Sequence, residues 1–545
     1  MNLQTAPRAM VEHLSLLMVG DTGFAPSRAK PLPDRVYKYG RKLSFAETTE
    51  KIKADINGDI NFANIETVIS DRANLVPRSK KYNFVTHPNG IKHLVKAGFN
   101  LLSMANNHAF DYGALGVRES LRHLKPLEGR GLLAHAGIGM DRAAAGKTPV
   151  FEKKGIKVAF GAIGIGANGG GLPRATDNRP GQLSLYLKQD QQFLADSFSR
   201  SGADLRLLSV HHGPERVIRP SGYEVAMLRS LVAQTDADVM IGHHAHVSRG
   251  IEIRNGTLMV YGLGNFNHQG TANMNGKNGC HNYSLMVRAH FVRESGKKPV
   301  LAAVEALPIQ STHMQPERID GVRGARRIAI LNGLAAQLDQ PKTGSQGVRF
   351  MAQDDGSGLH CTNAARKHPY TAQLCSNYSE QHLASNQQYR QAVATCGGRA
   401  PTRMIAKVKL APTLRLASLA PVAPNVAMVE SQPEVTGSGQ EAANAKPFSK
   451  QLGALRSSID LPTPQDKSAT VAKARTMHET DTKQQPVITK LSRLESNPDH
   501  WPAGMPLAWA VPENETSKAR LLRWKKHRYS VAEVEKLLRK KGLIR

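Results

Sequence analysis

Apolar runs of strand length recur up to about residue 310: His13–Val19, Ile60–Ala63, Phe99–Met104, Lys157–Ile163, Asp204–Val210, Val239–Ile241 and Thr257–Tyr261. Amphipathic stretches lie between several of them, and in Tyr223–Ala233 the apolar residues return at helical spacing. Strands alternating with helices predict a layered α/β core. Glu317–Leu338 reads as a closing helix, followed by polar, cysteine-bearing loops to about residue 398. Residues 401–500 are rich in Ala, Pro, Ser, Thr and Gln with few aromatics, which predicts a disordered linker. The last segment, 501–545, changes again. Ser530 with Glu533 forms a capping box before Val534, Leu537 and Leu538, and Gly542 suits the end of that helix.

Charge sharpens this picture. The 545 residues carry 73 Lys and Arg against 44 Asp and Glu, a formal charge of +29. That balance favours anionic partners: nucleic acid, phosphorylated polymers or membrane headgroups. From Ser517 onward eleven Lys or Arg face two Glu, so the tail is a basic helix suited to nucleic acid or an anionic membrane, or a solvated extension. Four cysteines make no disulfide scaffold and no C-x-x-C pair. Cys361, Cys375 and Cys396 leave open one disulfide or ordinary thiols. No segment reaches the roughly 20 apolar residues of a membrane span. The amino terminus lacks a signal-peptide pattern, so the expectation is a cytoplasmic protein, or one exported or at the membrane periphery if the true start lies upstream.

Polar residues cluster where the apolar runs end. Leu16–Gly20 leads to Asp21, Ile60–Asn64 to Glu66, and Phe99–Ala105 to Asn106, Asn107, His108 and Asp111. Leu207–Val210 ends in His211-His212-Gly213-Pro214-Glu215, Asp238–Gly242 in His243-His244-Ala245-His246, and Val260–Gly264 in Asn265-Phe266. Asparagine is disfavoured in strands and favoured in turns, so these are strand-end loops, the usual ligand edge of an open α/β sheet. Carboxylates, an amide and imidazoles together suit Zn, Mn or Fe. His244 and His246 alternate by two, which on an extended backbone puts both on one side. Asp21 and Glu66 can share their charge between two cations.

The motifs GDTGF, ANIET, NNHAFDYG, HHGPE, GHHAHVSRGIE and YGLGNF, in this order, resemble the successive signatures of the capsule-synthesis CapA family, also called the poly-γ-glutamate synthesis protein family. That family is similar to calcineurin-like metallophosphoesterases. The resemblance covers about residues 14–345 and implies a four-layer sandwich, two facing mixed sheets flanked by helices, with 346–400 a polar cysteine-containing extension. It implies one or two divalent ions (Mn, Fe or Zn) on Asp21, Glu66, Asn107, His211, His244 and His246. His108 then steadies the phosphoryl oxygen or protonates the leaving group and Asp111 orients His108, while Asn64, Glu215, Glu252 and Asn265 contact the ligands or the substrate. Gly23 stands where most metallophosphoesterases place a histidine, leaving one metal a ligand short.

Two functions follow. One is a hydrolase of a phosphoester or of the anionic polymer made in capsule or poly-γ-glutamate synthesis, acting through metal-activated water with His108 as general acid. The other is a non-catalytic factor that binds the polymer or assembles with its synthase.

Overall fold

The computed structural model describes residues 11–165 and 174–394. The linker and basic tail expected at 401–500 and 501–545 lie outside the described residues.

Every apolar run read from the sequence is a strand, and the strands assemble into two large mixed sheets. The first places Val11–Gly23 at its centre, parallel to Ile60–Ile65, with Leu101–Ser103 and Ala134–Ala136 continuing the parallel series. On the other side of Val11–Gly23 lie two long antiparallel strands, Ser284–Glu294 and Val300–Gln310. The second sheet runs Ile156–Gly164, Leu205–His211, Val239–His243 and Thr257–Val260 in parallel, with antiparallel strands at both edges.

Alternation along each strand sorts side chains into layers. Leu14, Leu16, Met18, Ile60, Phe62 and Leu101 meet Ile156, Val158, Phe160, Leu205, Leu207 and Ile241 in one buried cluster between the sheets. Phe62 meets Phe160 edge-on across that layer, ring centres 5.9 Å apart. The outward residues Leu17, Val19, Ala63, Ile65 and Leu102 are covered by Phe45, Ile91, Leu94 and Val117 from the helices on that side. On the far face Ile163, Leu208, Val210 and Met240 are covered by Leu194 and Phe198 of Lys188–Ser199 and by Leu228 and Leu231 of Gly222–Thr235. Helix, sheet, sheet, helix is the four-layer arrangement expected. The helix Gly222–Thr235 begins where Ser221 and Glu224 form a capping box, each satisfying the other's backbone N–H.

The closing helix is shorter than the sequence suggested. It spans Gly321–Ala335, because Glu317–Arg318 pairs as a strand with Ile309–Gln310 and Gly321 turns through φ 56°. The stretch after residue 345, read as polar loops, also supplies strands. Ser345–Gly347 joins the second sheet, while Met351–Ala352 and Gly358–Cys361 join the first. Burial of Val348, Phe350, Met351 and Leu359 holds them there. A disulfide links Cys361 to Cys375. Among the described residues no helix is long and apolar enough to cross a membrane.

Candidate metal centre

The carboxyl ends of the parallel strands from both sheets meet at one edge, as the strand-end clusters suggested. Gly20 allows this at the first strand. Its Cα passes so close to Gly264 that a Cβ would stand 1.8 Å from the Gly264 carbonyl, which itself accepts the Asp21 N–H at 3.1 Å. Asp21 thus enters the interior fully buried. Asn64 Nδ2 donates to its Oδ1 at 2.8 Å, and the His244 N–H donates to its Oδ2 at 3.1 Å. His246 Nδ1 lies 3.2 Å from the same Oδ2, and 2.8 Å from Asn265 Oδ1.

Glu66 faces Asp21 across the cavity. Both of its oxygens are buried with no hydrogen-bond partner, although His211 Nε2 is 3.5 Å away and His246 Nδ1 3.9 Å away. His211 Nε2 also meets Asn107 Oδ1 at 2.7 Å. Three overlapping sets of groups, all buried but the half-buried His246, are close enough to hold a cation: Asp21, His211 and His243; Glu66, His211 and His244; Asp21, Glu66 and His246. A buried carboxylate without a donor is costly, and a divalent ion answers that cost. The nitrogen and oxygen donors fit Mn, Fe or Zn.

Charge is divided unevenly across the cluster. Burial and the nearby Asp21 carboxylate push Glu66 well above the usual carboxyl range. Burial acts on Asp21 in the same sense, but the hydrogen bond and charge of His246, aided by His243 and His268, hold it low. Burial opposes charge on His246 too, yet Glu66 and Asp21 raise it to about 10. Burial and neighbouring imidazoles keep His211 and His244 well below their usual value. Burial thus works against a proton on most of these imidazoles, while the two carboxylates draw one toward His246.

The turn Asn106–Asp111 places a separate pair beside these groups. His108 Nδ1 meets Asp111 Oδ2 at 2.7 Å, and Asn106 shapes the turn by accepting the His108 N–H at 3.0 Å and donating to the Ile65 carbonyl at 2.8 Å. Asp111 is fully buried and takes a second partner, Lys80 Nζ, at 2.6 Å. Burial lowers the His108 pKa, and Asp111 only partly restores it.

The structure thus brings together Asp21, Asn64, Glu66, Asn107, His108, Asp111, His211, His244, His246 and Asn265. Glu215 stands exposed nearby, where its charge acts on Glu66 and His246. Glu252 is a correction. It is buried in an ion pair with Arg229, at 2.9 Å through Nε, and accepts from Tyr261 Oη at 3.0 Å, so the paired group has no charge to offer the centre. The histidine turn also differs from expectation. His244 and His246 do not alternate along an extended strand but adopt φ of 90° and 54°, a strained backbone of the kind that gathers at functional sites. Three nearby groups were missed: His243, Lys80 and His268, the last with Nε2 3.2 Å from Glu66 Oε2.

Two facing sheets with a buried carboxylate–imidazole cage at their common edge define a candidate metal-binding α/β protein. Residues 15–269 match the family described as bacterial capsule synthesis protein PGA_cap, so the resemblance to the CapA family holds over this part of the chain. The chain is 28% identical over 261 residues to the capsule biosynthesis protein CapA of Bacillus anthracis, covering 47% of this chain and 60% of that protein. It is 29% identical over 206 residues to the PGA biosynthesis protein CapA of Bacillus subtilis, covering 37% and 51%. The chain therefore spans between half and three fifths of these relatives. A solved calcineurin-like phosphoesterase, YfkN from Bacillus subtilis, aligns at 12% identity with a TM-score of 0.31, covering 55% of this chain and 91% of that one, a likeness too slight to carry an argument.

Proposed function

We propose that residues 15–269 form a metal-dependent phosphoester hydrolase serving the synthesis of an anionic capsule or poly-γ-glutamate polymer. The observation that carries this reading is Glu66: a fully buried carboxylate with no hydrogen bond, enclosed by Asp21 and imidazoles. Asp21, Glu66, Asn107, His211, His244 and His246 would hold one or two ions, with His243 behind them. A bound divalent ion supplies Lewis acidity, polarising a phosphoryl oxygen and making water a stronger acid.

The chain's own groups do the rest. Asp111 occupies Nδ1 of His108, which leaves Nε2 as the ring atom free to give a proton to a leaving oxygen. The depressed pKa of His108 makes its protonated ring the stronger acid. Lys80 offsets the Asp111 charge and also donates to the Asn107 carbonyl at 2.8 Å, tying the acid to the ligand beside it. Phe84, with its ring centre 4.3 Å from that of His108, keeps water from one side. The polymer assignment draws on the capsule and PGA biosynthesis proteins that the chain resembles and on its net charge of +29.

Turnover of bis(p-nitrophenyl) phosphate with and without Mn²⁺ tests the reading. The expected outcome is hydrolysis abolished by EDTA and lowered about 10²–10⁴-fold by His108→Asn, the range for a lost general acid. No metal-dependent turnover of aryl phosphomonoesters or diesters, alongside binding to poly-γ-glutamate, would overturn catalysis in favour of polymer binding or assembly.

A further inference from the structure

Gly23 and His268 are partners in the parallel pairing of the Val11–Gly23 and Asn265–His268 strands. The imidazole lies over the glycine: a Cβ at position 23 would stand 3.8 Å from His268 Cε1 and 3.6 Å from Thr67 Cβ. The space left open at Gly23 is thus used by a side chain from the neighbouring strand, and that side chain reaches Glu66. His268 is buried, packed edge-on against Phe84 with ring centres 5.1 Å apart. Its Nε2 and Glu66 Oε2 lie 3.2 Å apart, and neither has a hydrogen-bond partner.

The other ring nitrogen decides what that contact is. The Gly270 backbone N–H donates to His268 Nδ1 at 3.0 Å. A backbone N–H only donates, so Nδ1 carries the lone pair and the neutral ring bears its proton on Nε2. The atom facing Glu66 is an N–H, not a free lone pair. In keeping with this, His268 belongs to none of the residue sets close enough to hold a cation.

We propose that His268 is a positioning residue for Glu66: its Nε2–H donates to Oε2 and leaves the remaining lone pairs of the carboxylate to a divalent cation. The proposal rests on the metal reading above and goes beyond it by separating donor from ligand at one buried imidazole. A small rotation of the carboxylate completes the hydrogen bond. Without it, Glu66 has no donor among the described residues.

Calorimetric titration of the metal-free full-length chain with Mn²⁺ tests this, using wild type, His268→Leu and His268→Gln. The same number of ions should bind in all three. His268→Leu should bind them about 10–100-fold more weakly, the usual effect of losing a partner of a metal-bound group. His268→Gln, whose amide keeps a donor, should recover most of the affinity. If His268→Leu fails to fold, His268→Asn, whose amide is too short to reach Glu66, takes its place. Loss of one ion in His268→Leu would make His268 a ligand and overturn the proposal. So would wild-type affinity in His268→Leu, or a His268→Gln as weak as His268→Leu. A wild type that takes up no Mn²⁺, Fe²⁺ or Zn²⁺ overturns the metal reading itself, and this proposal with it, before any variant is compared.

Discussion

Glu66 and Glu252 are both fully buried glutamates, and each lies near the end of a sheet strand. Around Glu252 the protein is complete: Arg229 grips both oxygens and Tyr261 adds a third bond. Arg229 in turn donates to the Leu338 carbonyl, so the pair ties the helix Gly222–Thr235 to the turn Ala336–Leu338 that follows the closing helix. Around Glu66 the protein supplies a second carboxylate, several imidazoles and no hydrogen bond. Burial alone therefore does not mark a functional carboxylate. What separates the two is whether the chain satisfies the charge itself or leaves it for something else.

The largest effect expected on stability comes from breaking the satisfied member. Arg229→Met leaves Glu252 buried without its partner and should cost about 3–5 kcal/mol in urea unfolding, while metal uptake stays at the wild-type level. Equal stability would mean that the pair is held no better than one at the surface.

Lys80→Met probes an intermediate case. Asp111 would lose a charged partner but keep His108 and the Phe84 N–H. A loss of about 1–3 kcal/mol is expected, the scale of one bond to a charged group. No loss in urea unfolding would show that Lys80 is held by Asp111 without supporting it.

A third test uses a half-buried base remote from the cage. His13 stacks on Tyr370 at 4.6 Å and on His290 at 5.3 Å, and burial together with the neighbouring His290, His368 and Lys154 lowers its pKa to about 3. Its folded pKa lies below its unfolded one, so between about pH 6.5 and 3 the unfolded chain binds a proton that the native state refuses. Stability should fall with pH across that window, by up to about 1.4 kcal/mol per unit for this one group. Urea melts from pH 7 to 4 should show a shallower slope for His13→Phe. An unchanged slope would mean that His13 does not contribute to the acid sensitivity.

Much of this arrangement was legible in the chain. Asp21, Glu66, Asn107, His108 and His211 each follow an apolar run, because a strand that ends at the sheet edge delivers its next polar residues there. Other parts were hidden for definite reasons. Ser284–Glu294 and Val300–Gln310 carry Arg288, His290 and Glu305 inside, and these charges, which pair with one another in the fold, interrupt the apolar pattern. His268 reaches Glu66 only through the pairing of Gly23 with its own strand, and Lys80 reaches Asp111 from a loop with no periodic signal. His243 looks no different in sequence from His244 or His246. Only the left-handed turns at the latter two, which no spacing rule anticipates, bring all three imidazoles round one cavity.

The smallest stability effect belongs to Glu66→Gln. Apart from the N–H of His268, nothing is placed to bond the carboxyl group, and the amide keeps an oxygen for that donor, so the metal-free variant should be as stable as wild type or slightly more so. For the same reason it is the decisive variant. Metal content by mass spectrometry, on wild type, Glu66→Gln and Glu252→Gln purified side by side in metal-replete medium, tests the central claim most directly. The account requires one or two equivalents of Mn, Fe or Zn per wild-type chain, lost wholly or in part in Glu66→Gln and kept in whatever Glu252→Gln remains folded. No metal in the wild type, or equal metal in wild type and Glu66→Gln, would contradict it.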